Sequence, residues 1–177
     1  MDVLDTSMGL VYIARKIFGM TKTKILFVCL GNICRSPSAE AVMKALVEKA
    51  DLSSVFEIDS AGIIGVHEGE NADSRMMAHA ARRGYQLTSI SRPVNKHDFA
   101  YFDLIVGMDD QNIHDLKKLL PHNILPYKIV KMTDFASDSK FSVVPDPYYG
   151  GADGFELVLD LLEDACFGLI RHLTEKK

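Results

Sequence analysis

Residues 24–37 read Lys-Ile-Leu-Phe-Val-Cys-Leu-Gly-Asn-Ile-Cys-Arg-Ser-Pro. After the lysine, Ile25, Leu26, Phe27 and Val28 run without a polar break, the pattern of a strand covered on both faces of a parallel sheet. From Pro37 onward, Ala41, Val42, Ala45 and Leu46 recur at helical spacing, and proline suits a first helical turn because its missing N–H has no partner there. Residues 29–36 thus join a strand end to a helix start. Main-chain N–H groups at such a junction lack intrahelical acceptors, and an anion can take them. Leu30, Gly31, Asn32, Ile33 and Cys34 supply those donors. Gly31 is expected to adopt a conformation that side chains resist, and Asn32 to tolerate left-handed geometry. Arg35 adds a planar fork of donors that matches phosphate oxygens. Cys29 then sits at the floor of a phosphate cradle. A helix N-terminus beside a guanidinium favours thiolate, bringing a cysteine from ~8.5 to roughly 3.5–7.5. Ser36 is expected both to donate a hydrogen bond to that thiolate and to cap the helix.

The motif CLGNICRSP, Cys-x5-Arg-Ser placed at the first strand-to-helix turn, resembles the catalytic loop of the low-molecular-weight protein tyrosine phosphatases. A structural cysteine in a core does not need Gly-Asn and Arg around it. The resemblance runs from about residue 24 to about residue 173. It implies an α/β fold: a single-domain three-layer sandwich, with a four-stranded parallel sheet in flavodoxin-like order (phosphotyrosine phosphatase I-like) flanked by helices.

A second motif follows late in the chain, Val144-Pro145-Asp146-Pro147-Tyr148-Tyr149-Gly150-Gly151. Two prolines fix the backbone around Asp146, and Asp-Pro by itself reads as a turn initiator. The resemblance assigns more: in DPYYG, Asp146 is the general acid, and Tyr148 and Tyr149 form an aromatic rim suited to stacking on an aryl phosphate. Two adjacent tyrosines on a Gly-bounded loop cannot both be buried. Asp59-Ser60-Ala61-Gly62 resembles the segment whose serine supports the loop asparagine, here Ser60 with Asn32. Cys34 reads on its own as a small side chain beneath the cradle, and the resemblance makes it a resolving thiol for oxidised Cys29. The chain departs from the family pattern at Val66, where an aromatic residue often stands, at Ile63 in place of a hydroxyl residue, and at Ser89 in place of a histidine. These changes bear on the substrate wall, to which Val66 is assigned with Tyr148 and Tyr149.

The rest of the chain alternates in the same way. Strands are expected at 55–60, 103–108 and 127–130, and helices at 37–50, 73–83 with Gly84 as its stop, and 109–120 stopped by Pro121. A Pro-, Asp- and Ser-rich loop spans 133–153. A last helix over 153–173 carries a stripe of Phe155, Val158, Leu159, Leu162, Cys166, Leu169 and Leu173. Such alternation predicts a parallel sheet with ligands at its carboxyl edge. Residues 1–23 read as a separate helical extension, capped by Asp5, Thr6 or Ser7 and stopped by Gly19, that docks on the domain or makes a homodimer contact. Residues 24–177 form the catalytic domain.

Composition agrees with an ordinary globular chain of 177 residues, 47% hydrophobic and 25% charged. A net charge of −4 with no long basic run argues against nucleic acid as the main partner. Three cysteines make no disulfide framework, and the reducing cytoplasm is the expected compartment. The N-terminus carries Asp2 and Asp5 where a secretory signal would be basic, and no apolar run reaches the ~18 residues of a membrane span. His67, His79, His97, His114, His122 and His172 show no metal-ligand spacing and are expected to be mostly solvated; no metal or organic cofactor is expected.

The expected reaction is hydrolysis of phosphotyrosine in proteins through a phosphocysteine on Cys29, with Arg35 and the loop N–H groups on the phosphate and Asp146 as acid, then base. Asp109 and Asp153 are the alternative acids. Arsenate reduction would need further cysteines near the site, and only Cys166 is left. The arginine-phosphatase branch carries threonine where Ile33 stands. A non-catalytic phosphotyrosine-binding module would have lost Cys29, Arg35 or Asp146, and all three are present.

Overall fold

The computed structural model describes residues 22–175. The expectations for residues 1–21 lie outside the described residues. The centre of the fold is β1 (Thr23–Cys29), buried from Ile25 to its end. It pairs in parallel with β2 (Phe56–Gly62) on one side and β3 (Leu104–Gly107) on the other. β4 (Ile129–Lys131) pairs in parallel with β3, so the four-stranded sheet has the order β2-β1-β3-β4. This is the flavodoxin-like α/β order.

Alternation along β1 divides the core in two. Ile25, Phe27 and Cys29 face one layer, where α1 (Arg35–Lys49), α2 (Ser74–Arg82) and α5 (Ala152–Thr174) pack through Val42, Met43, Met76, Phe155 and Leu159. Leu26 and Val28 face the other, covered by α3 (Lys96–Tyr101) and α4 (Asp110–Leu119) through Phe99 and Leu116. Each fully buried Phe or Leu contributes about 1.5–3 kcal/mol relative to exposure, which is why the apolar run fixes β1 in the middle. The α5 stripe is buried from Phe155 to Leu169, and Leu173 packs partly buried against the same core. Gly168 lets α5 touch the turn of 3-10 helix at Met132–Phe135: a Cβ there would lie 1.8 Å from the Phe135 carbonyl oxygen.

Several local expectations need correction. α1 begins at Arg35, with Cys34 at its N-cap and no side-chain cap hydrogen bond, so Ser36 is not the cap. Its hydroxyl is engaged elsewhere, as described below. The left-handed residue of the loop is Asn32, with φ +57°, while Gly31 has no positive φ. β4 starts at Ile129, because Pro126–Lys128 forms a 3-10 turn where a strand was expected. The loop at 133–153 opens with the 3-10 turn that α5 contacts. Helix α3 went unforeseen, being only six residues long. Its signal was Asn95 three residues before Asp98, a reciprocal capping box.

Candidate active site

The carboxyl ends of β1 and β3 bring the motifs together. Val144 donates its N–H to the Met108 carbonyl just past β3, at 2.9 Å, and so seats the Asp146 loop beside the loop that follows β1. The two loops enclose a cleft of about 340 Å³. Cys29, Leu30, Gly31, Ile33, Cys34 and Arg35 line its floor, and Asp146, Tyr148, Tyr149 and Val66 its sides. Ile64 and His67 line it as well, and the sequence had not pointed to either. His67 stands against the loop, since a Cβ on Gly31 would come within 3.1 Å of its ring. Its Nδ1 is 2.8 Å from Glu70 Oε2. The absence of a side chain at Gly31 is thus a matter of room rather than of dihedral freedom.

The floor is built from main-chain donors. No acceptor among the described residues takes the N–H of Leu30, Gly31, Asn32, Ile33, Cys34, Arg35 or Ser36. Seven donors at one helix N-terminus make an anion site. Beneath them, Asn32 holds the turn in its left-handed conformation. Its Nδ2 donates to Ser36 Oγ at 2.9 Å and to Ser60 Oγ at 3.0 Å, and its Oδ1 accepts from the Arg92 N–H at 3.1 Å. Arg92 is itself held by Asp59 and Asp98. Ser36 Oγ lies 3.1 Å from Cys29 Sγ and 3.3 Å from the Ala61 carbonyl oxygen. Gly62 admits the loop: a Cβ there would meet the carbonyls of Leu30 and Ile64 at 3.0 Å.

Arg35 is 3% exposed. It donates to Asp109 Oδ2 at 2.6 Å, to the Val144 carbonyl at 3.0 Å and to Asp146 Oδ2 at 3.2 Å. Burial works against its charge, and the neighbouring Cys29, Asp109 and Asp146 outweigh that, so its pKa is raised. Asp109 is fixed as the N-cap of α4, accepting from the Asn112 N–H at 2.7 Å. It therefore orients Arg35, while Asp146, more exposed, faces the cleft. Asp153 is exposed at the start of α5 and does not line the cleft.

The aromatic side is anchored less tightly. Tyr149 is 93% exposed and Tyr148 36%, with their rings edge-to-face at 4.9 Å. Asp73 caps α2, donates its N–H to the Ile33 carbonyl at 2.8 Å, and forks onto Arg75. Arg75 reaches the Tyr148 carbonyl at 3.1 Å and lies over the Tyr148 ring. Ile63 packs into the second core layer and Ser89 is half-buried, so neither departure lines the cleft.

Cys34 is buried beside the loop, and burial first, then the charges of Asp73, Cys29 and Asp146, push its thiol well up. Cys166 is fully buried on α5. His97, His114, His122 and His172 are exposed; His79 is half-buried, stacked on Phe155 and paired with Glu156.

The sequence profile described as low molecular weight phosphotyrosine protein phosphatase matches residues 24–177. A low molecular weight protein-tyrosine-phosphatase of Streptomyces coelicolor is 43% identical over 155 residues, covering 86% of this chain and 94% of the relative. The human low molecular weight phosphotyrosine protein phosphatase is 36% identical over 142 residues, 80% of this chain and 90% of its own length. Among solved structures, a protein tyrosine phosphatase from Entamoeba histolytica superposes with a TM-score of 0.84 at 52% identity, covering 87% of this chain and 98% of that one. By profile, by length of match and by fold, the chain belongs to the low molecular weight phosphotyrosine protein phosphatase family.

Proposed function

We propose that the protein hydrolyses phosphotyrosine in proteins, and small aryl phosphates, through a covalent phosphocysteine. The observation that carries this reading is the meeting in one cleft of a sulfur, a ring of unengaged N–H donors, a fixed guanidinium and a partly exposed carboxyl. Phosphate oxygens take the N–H groups of residues 30–36 and the Arg35 donors. The Cys29 thiolate attacks phosphorus, the P–O bond to the phenol breaks, and Asp146 gives its proton to the departing oxygen. Water then attacks phosphorus, Asp146 accepts the water's proton, and the P–S bond breaks to return the thiolate. Preorganised donors stabilise the charge on the equatorial oxygens in both steps. Tyr148, Tyr149 and Val66, with Ile64 and Leu30, provide an apolar surface for the aryl ring.

The test is direct. The purified chain should release phosphate from phosphotyrosine peptides and from p-nitrophenyl phosphate without added metal, and vanadate should compete. Failure to hydrolyse either substrate under reducing conditions overturns the reading.

We assign Cys34 as the thiol that traps oxidised Cys29, because both sulfurs line the same cleft. The chemistry needs Cys29 reduced, and on that ground we assign the enzyme to a reducing compartment, the cytoplasm. Separately, no described helix is long and apolar enough to cross a membrane. Of the extension expected over residues 1–23, Thr23 opens β1 instead, and we assign the part ahead of it to a docked or dimer-forming segment. Removing residues 1–21 should alter oligomeric state or stability in sedimentation and thermal melts, and leave turnover on p-nitrophenyl phosphate within about twofold. A larger loss with the fold intact would place that segment at the site.

A further inference from the structure

Glu40 is 5% exposed, on the second turn of α1. Buried carboxylates persist only when paired and hydrogen-bonded. Its Oε1 accepts from Lys44 Nζ, one turn along the helix, and its Oε2 accepts from Ser60 Oγ at 2.5 Å, the length of a charge-assisted bond. Ser60 is the same residue that Asn32 touches, so an unbroken chain of hydrogen bonds runs Lys44–Glu40–Ser60–Asn32–Ser36–Cys29. It lies beneath the floor of the cleft, and Glu40 does not line the cleft.

Donor counting fixes the direction of that chain. A carboxylate only accepts, so the single hydrogen of Ser60 goes to Glu40. Ser60 Oγ is then left as an acceptor for Asn32 Nδ2. The Arg92 N–H takes the other end of the amide, Oδ1. With its NH2 group toward both serines, Asn32 donates to Ser36 Oγ, and the Ser36 hydrogen is left for Cys29 Sγ at 3.1 Å, with the Ala61 carbonyl at 3.3 Å as its one competing acceptor among the described residues. Turn the amide over, and both serine hydroxyls would donate to Oδ1, drawing the Ser36 hydrogen away from the sulfur. Ser60 can join that alternative only if nothing else accepts its proton. Glu40 accepts it.

We propose that Glu40 is a positioning residue for the nucleophile: by holding the Ser60 proton it locks the Asn32 amide in the orientation that leaves Ser36 donating to Cys29. The charge on Glu40, kept in place by Lys44, also polarises the chain beyond it. Among the described residues, titratable groups face both ends, and the Cys34 thiol is one of those beside Cys29. Lys44 faces Glu40, and Arg35 faces Cys29, with Asp109 and Asp146 on the far side of the guanidinium.

This rests on the proposed role of Cys29, and the test separates the two. The readout is the rate of Cys29 alkylation by iodoacetate across pH, corrected with Cys29→Ser, which follows thiolate directly and does not depend on hydrolysis. Glu40→Met keeps the volume and removes the acceptor; it should move the alkylation profile to higher pH and lower kcat on phosphotyrosine roughly tenfold. Glu40→Gln retains an oxygen acceptor and should recover most of both. Ser60→Ala should reproduce the Glu40→Met shift, and the double variant should be no worse than Ser60→Ala alone. A folded Glu40→Met with the wild-type alkylation profile overturns the proposal, as do additive losses in the double variant. If Glu40→Met does not fold, an unshifted profile in Ser60→Ala overturns it equally. A wild-type protein that alkylates normally but hydrolyses no phosphoester would instead overturn the enzymatic reading alone.

Discussion

The floor and the wall of the cleft are built on opposite plans. The floor is main chain, held from below by Asn32, Ser36 and Ser60, all at most 2% exposed. The wall is side chain, and Val66 and Tyr149 stand mostly in solvent, with Ile64 40% exposed. Phosphate chemistry needs donors placed before the substrate arrives, because reorganising them would add to the barrier. An aryl ring needs only an apolar surface that excludes water. The difference predicts that substitutions in the floor act on kcat, and substitutions in the wall on KM.

The largest effect is expected at the sulfur. Cys29→Ser should abolish turnover, since a serine hydroxyl is a weak nucleophile at neutral pH without a base beside it. Phosphate or vanadate binding should survive, because the N–H donors and Arg35 are untouched. Isothermal titration with phosphate on this variant checks both halves, and measurable hydrolysis would remove Cys29 from the mechanism.

Asp146 comes next and joins floor to wall. A tyrosine leaving group titrates near ~10 and departs poorly without a proton. Asp146→Ala should slow phosphotyrosine hydrolysis by roughly 10²–10⁴-fold. On an activated aryl phosphate the first step should suffer less than the second, so phosphocysteine accumulates and stopped-flow shows a burst of phenol. Equal losses on both substrates with no burst would make Asp146 a turn residue, and Asp109 would remain as a carboxyl close to Arg35.

Redox recovery is expected to depend on pH. After mild peroxide, wild type should regain activity with thiol and show a Cys29–Cys34 disulfide in peptide maps, while Cys34→Ser should be inactivated largely irreversibly. Because the Cys34 thiol is pushed up, its thiolate fraction grows as pH rises, and so should the share of enzyme protected. Equal recovery of both proteins at every pH would leave Cys34 as packing alone.

The same contrast explains what could be read before the fold was known. The strand of Ile25 to Val28, the loop around Cys29, the α5 stripe and the Asp146 loop announce themselves locally, through apolar runs, turn chemistry and paired prolines. What escaped notice depends on distant partners. Asp109 meets Arg35 across 74 positions, and Ser60 meets Glu40 across 20, and no local pattern encodes either meeting. Glu40 in particular sits among Ala39, Ala41 and Val42, where a lone acidic residue reads as the wet face of an amphipathic helix. Ser36 was misplaced as a cap for a related reason: the helix starts one residue before it, and its hydroxyl is drawn into the network under the loop. Asn32, not Gly31, takes the left-handed turn because its side chain gains three hydrogen bonds there.

The smallest effects belong to the wall, and they differ within it. Tyr148 is tied down: Arg75 holds its carbonyl at 3.1 Å, its N–H donates to Asp146 Oδ1 at 3.1 Å, and its ring lies under the Arg75 guanidinium. A ring already fixed loses little freedom when an aryl phosphate stacks on it. An aromatic pair contributes about 0.5–1.5 kcal/mol, so Tyr148→Ala should raise KM for phosphotyrosine about three- to tenfold with kcat within about twofold. Tyr149, at 93% exposure, touches Tyr148 edge-on and is free to turn. Ordering it on binding cancels most of what its contact provides, and Tyr149→Ala should change KM by about twofold or less. The comparison is made with a phosphotyrosine peptide and with a phosphoester whose leaving group is small and non-aromatic. On the second substrate both variants should match wild type. If Tyr148→Ala lowers kcat on both, the tyrosine acts through the position of Asp146, to which its N–H is bonded, and the wall and the floor are not separable at that residue.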